Sequence, residues 1–99
     1  MNRLEHIAVT AMEEADEVSQ RISKALRFGW QEVQPGQPLN NAERIVQEFH
    51  DLFTMLDWLM REGLIDERMS LVPMPETARA KREKVERFMA ISRDQGVLS

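Results

Sequence analysis

The sequence has no cysteine, which excludes disulfides and thiolate metal sites. No apolar run approaches the roughly 20 residues needed to span a bilayer, and no apolar stretch of signal-peptide type precedes the first helical pattern. The expectation is a soluble, cytoplasmic chain without a membrane partner. Phosphate-binding glycine loops, internal repeats and low-complexity tracts are also missing. Positive charge is in deficit: the formal net charge of −4 argues against nucleic acid as the main partner. A small anionic ligand would therefore need local cations or a metal.

What is present is helical periodicity. Ninety-nine residues make a single all-α domain, 1–99, and a chain this short has little core of its own, which predicts oligomerisation. Leu4, Ala8, Ala11, Ala15, Val18, Ile22 and Ala25 alternate spacings of three and four, the stripe of a core-facing helix. That helix should run from an Asn2 cap to Phe28, with Gly29 as terminator. Asn40 and Glu43 have capping-box spacing, so a second helix starts near Asn41 and ends at Gly63. Ile45, Phe49, Leu52, Leu56 and Leu59 form its stripe. The two make an antiparallel hairpin over 2–62.

Between them, residues 29–39 hold two glycines and two prolines and no sustained periodicity, which predicts a loop longer than most helix–helix connections. Trp30 is its candidate substrate contact, since an indole at a groove mouth can stack on a nucleobase; covering the end of the core is the plainer role. A connector over 64–74 leads to a third amphipathic helix over about 75–95, begun by Pro75. Its basic residues, interleaved with Glu83 and Glu86, suit a solvated face better than a nucleic-acid surface. Met55, Trp58 and Met60 widen the apolar surface of the second helix, which points to a subunit interface completing a helical bundle.

Against that background stands a cluster of acids. Glu14 and Glu17 fall roughly 60° and 120° from the centre of the first stripe. Glu48 and Asp51 repeat the spacing and the offset on the second helix. In an antiparallel pair these flanks share one side. The levels also match to within what the loop absorbs, roughly 19 Å before the end of one helix and 13 Å after the start of the other. Acidic residues three or four apart are common on solvated faces, but an unrelated face has no reason to reproduce both spacing and angle. Four carboxylates in one groove suit Mg²⁺ or Mn²⁺, not zinc or copper. Arg21 and Lys24 share this flank and could meet phosphate oxygens, although they also oppose the negative end of the helix dipole. His6 and His50 lack partners of metal-ligand type, and neither is read as a ligand.

Glu13-Glu14-Ala15-Asp16-Glu17 followed by Glu48-Phe49-His50-Asp51 resembles the MazG-like all-α nucleoside triphosphate pyrophosphohydrolases over roughly residues 4–62. The stretch from Lys24 to Gln37 is also similar to phage and bacterial members. The resemblance implies Mg²⁺-dependent hydrolysis of a (deoxy)nucleoside triphosphate to the monophosphate and pyrophosphate, in a homodimer or homotetramer. By motif position it implies Glu14, Glu17, Glu48 and Asp51 as metal ligands, with Glu13 orienting a ligand or positioning the attacking water. Two alternatives stay open. One is the phosphoribosyl-ATP branch of the same superfamily; the other is a non-enzymatic helical interaction module whose acidic groove meets a basic partner.

Overall fold

Three helices form where the local signals place them in the computed structural model, which describes residues 1–99. Helix α1 runs Arg3–Phe28, α2 Asn41–Arg61 and α3 Pro75–Asp94. Each boundary has a short-range cause. The Asn2 side chain accepts from the Glu5 backbone N–H at 2.8 Å, satisfying a donor that the first turn leaves unpaired. Asn40 and Glu43 form the full capping box. At the far end of α2, Leu64 N–H reaches the Leu59 carbonyl and Gly63 N–H the Met60 carbonyl, with Gly63 at φ 84°. This left-handed closure is one that glycine adopts without a Cβ clash.

Helices α1 and α2 are antiparallel, as the pairing of Arg3 with Glu62 and of Arg21 with Glu48 requires. The linking loop is tied down at its end. Its Trp30 and Glu32 carbonyls accept from the Ala42 and Asn41 backbone N–H groups. The Asn41 side chain, 1% exposed, donates to the Gly29 carbonyl at 2.8 Å and to Glu32 at 3.1 Å. Arg44 lies buried beside it and donates to Gln34 at 2.9 Å. The loop therefore caps one end of the hairpin, while Ile7, Ala11 and Leu59 form a small apolar core toward the other.

The packed face differs from the expected stripe. The row that α1 turns toward α2 passes through Ile7, Ala11, Glu14, Val18, Arg21 and Ala25, all buried or half-buried, while Ala15 and Ile22 are exposed. On α2 the row passes through Asn41, Arg44, Glu48, Leu52, Met55 and Leu59, and Phe49 is 50% exposed. Both helices are rotated by roughly 50° from the apolar stripe at 100° per residue. The reason lies in side-chain size. Alanines offer little area to bury, whereas the long stems of Glu14, Arg21, Arg44 and Glu48 pack while their heads reach the groove edge. The rotation leaves Ala15, Ile22, Phe49 and Phe53 on one flank of the hairpin, opposite the acids.

Helix α3 packs against neither α1 nor α2 and buries no residue. The connector over 62–74 holds turns but no helix. The chain exposes 7790 Å², whereas a compact monomer of its 11.6 kDa mass would expose about 5,800 Å². Its radius of gyration is 17.1 Å, against about 13 Å for a compact domain of this length. No helix is long and apolar enough to cross a membrane.

Candidate metal centre

Because the helices turn Glu14 and Glu48 inward, carboxylates gather midway along the hairpin. Oxygens of Glu14, Glu17 and Glu48 all lie within 4.8 Å of one another. Octahedral Mg²⁺ with bonds of about 2.0–2.1 Å places opposite ligands about 4 Å apart, so small side-chain adjustments would bring these oxygens onto one cation. Asp51 is outside that triplet, yet its charge acts on both Glu14 and Glu48. Glu13 is exposed at the outer edge of the cluster.

The electrostatics are those of crowded anions. The carboxyl of Glu14 is held above the ordinary glutamate range, first by loss of surrounding water and then by the charges of Glu17, Asp51 and Glu13. Glu48 is raised too, by desolvation and by its approach to Glu17, with which it shares a hydrogen bond when protonated. The Arg21 guanidinium opposes this, its Nε 3.7 Å from Glu48, and offsets only part of the effect. Arg21 also keeps a buried Nη1 without a hydrogen-bond partner, so the basic partner for these acids is close but not saturated. A bound cation would relieve the same repulsion. The donor set is all oxygen, which fits a hard divalent ion.

No family model, curated protein or solved structure matches the chain.

The other predicted contacts divide. Arg21 lies in the cluster. Lys24 is half-buried one turn further along α1. Trp30 lies at the loop end of the hairpin, its carbonyl accepting from the Ala42 backbone N–H and its indole half-exposed. One feature had no counterpart in the expected site. Arg3, His6, Ile7, Thr10, Met55 and Trp58 line a hollow of about 480 Å³. Thr10 stands one helical turn before Glu14, and Met55 one turn after Asp51, so the hollow opens on the acidic side of the hairpin. The signal was available: Trp58 follows Asp51 by seven residues, two turns along the same face.

Proposed function

We propose that the chain is a metal-dependent nucleoside triphosphate pyrophosphohydrolase of MazG-like type. One observation carries this reading: three carboxylates from two helices converge within 4.8 Å in a hairpin that has little else to bury. Such convergence is costly without a cation, and it falls on the acids that the motif resemblance singles out. Glu14, Glu17 and Glu48 would hold Mg²⁺ or Mn²⁺, with Asp51 beside them. The metal, when bound, would neutralise phosphate charge and lower the pKa of a coordinated water. Arg21, whose Nε is 3.7 Å from Glu48, and Lys24, one turn further along α1, would meet phosphate oxygens. Glu13, exposed next to Glu14, would orient a ligand or help to position the attacking water.

The decisive experiment measures pyrophosphate release from a panel of deoxynucleoside and nucleoside triphosphates, with phosphoribosyl-ATP included, in Mg²⁺ and then in EDTA. Metal-dependent release is expected. Glu48→Gln and Asp51→Asn should lower it at least about a hundredfold, the scale of several kcal/mol of charge stabilisation, while circular dichroism shows helicity intact. Full activity in either variant would defeat the reading. The phosphoribosyl-ATP branch would appear as preference for that substrate.

The unpacked α3, with Arg79, Lys81, Arg82, Lys84 and Arg87 on it, favours a second reading. In it the chain is a non-enzymatic interaction module, without metal-dependent turnover and with salt-sensitive binding. Both readings share an oligomer, a homodimer or homotetramer, supported by roughly 2,000 Å² of surface beyond that of a compact monomer. That excess is in the range that stable subunit interfaces cover.

A further inference from the structure

The hollow beside the carboxylates is not needed to hold a metal, and its walls are of a different chemistry. Trp58 is fixed there by two contacts and an ion pair that links them. Its Nε1–H donates to Glu62 at 3.2 Å, Glu62 is paired with Arg3, and the Arg3 guanidinium lies over the indole at 5.6 Å from the ring centroid. The indole edge is therefore held in one orientation although the residue is 40% exposed. A fixed aromatic plane at the surface suits stacking better than core packing. His6 stands across from it on α1. The Thr10 hydroxyl is spent on the His6 carbonyl at 3.0 Å and faces Nδ1 at 3.4 Å, which leaves the other imidazole nitrogen for a ligand's polar edge. The volume, about 480 Å³, lies in the range of small-molecule sites.

Its position supplies the identity of the occupant. The inner wall, Thr10 and Met55, is one turn, roughly 6 Å, from Glu14 and Asp51; the outer wall, His6 and Trp58, is roughly 10–12 Å away. A ribose and its 5′ carbon separate a nucleobase from its phosphates by a gap of that kind. With the phosphates at the carboxylates, the base reaches the indole. At the opposite side of the carboxylates the packed row continues through Val18 and Arg21 to the buried Ala25 and Asn41, where the structure has no comparable cavity.

We infer that Arg3, His6 and Trp58 form the nucleoside subsite of this chain, with Trp58 stacking on the base and His6 reading its polar edge. The inference rests on the hydrolase reading, and the test separates the two. A Trp30→Phe chain leaves Trp58 as the one indole. It is titrated in Mg²⁺ with the four α,β-imido deoxynucleoside triphosphates, which resist cleavage between the first two phosphorus atoms, and with inorganic triphosphate; fluorescence and calorimetry are read together. At least one nucleotide should quench Trp58, while inorganic triphosphate binds without quenching. Trp58→Leu should weaken that nucleotide about tenfold and leave triphosphate affinity unchanged. Nucleotide binding that leaves Trp58 fluorescence unaltered would overturn the subsite and spare the hydrolase reading, as would nucleotides binding no more tightly than triphosphate. Absence of binding by every probe would sink both. The fluorescence arm keeps Trp58 in place, so it holds even if Trp58→Leu misfolds.

Discussion

Glu48 shows how a single side chain connects folding to chemistry. It sits in the packed row of α2, loses water there and meets Glu17, so its charged form is disfavoured in the folded chain. Glu14 is disfavoured similarly. An acid whose folded pKa is raised stabilises the fold only while protonated. That contribution is complete below the ordinary glutamate value of about 4.3 and is lost as pH climbs through the raised one. Both residues keep some contact with solvent, so screening moderates the effect. The carboxyls of Glu62 and Asp66, held low by Arg3 and Arg68, have the opposite sign, but their contributions disappear only below the ordinary carboxylate range. In EDTA, the melting temperature should therefore rise as pH is lowered from about 7 toward 5. Glu48→Gln should flatten that rise and melt higher than wild type at neutral pH. A wild type that melts lower at pH 5 than at pH 7, alongside an unaffected variant, would contradict the assignment. Glu48 is thus a residue that the metal-free fold would be more stable without.

At the scale of elements, the helix ends were legible because their causes are local. Asn2, Asn40 with Glu43, Gly29, Gly63 and Pro75 each act within a few residues of chain, and each lies where its spacing predicted. Replacing Asn40 with Ala removes an acceptor for the Glu43 N–H. It should cost about 1 kcal/mol, lowering the melting temperature by about 4–8 °C, as a differential-scanning trace would record. Which face of each helix turns inward was less legible, because rotation about a helix axis is settled by the neighbour. Ile22 and Phe49 carry the apolar signal yet remain exposed, while Glu14, Arg21 and Glu48 take the positions between the helices. The doubled acid spacing survived this error, since both helices turned in the same sense and carried their carboxylates to the same groove. The hollow beside Trp58 was illegible for a related reason: an indole on an amphipathic helix reads as packing, and only the fold shows the open space in front of it.

At the scale of the whole molecule, the exposed flank and the free third helix ask for one explanation. Ile22, Phe49 and Phe53 lie on the side of the hairpin away from the acids, and α3 brings Val85, Phe88 and Met89 with no surface in its own chain to meet them. Covering these faces with a second copy would complete a bundle and leave the acidic groove open. Sedimentation at micromolar concentration should find a dimer or tetramer. Phe49→Lys should weaken association at least tenfold, as expected for an aromatic near the centre of an interface, without altering the metal affinity of the residual folded chain. A wild type that sediments as a monomer would remove the oligomer from both functional readings.

The freedom of α3 has a consequence for thermodynamics. A 20-residue helix with no tertiary contact is marginal in water, because nucleation is unfavourable and side-chain burial contributes nothing to hold it. In the proposed oligomer that order would be acquired when subunits meet. Folding of the last third of the chain would then be second-order, and the melting temperature would rise with protein concentration.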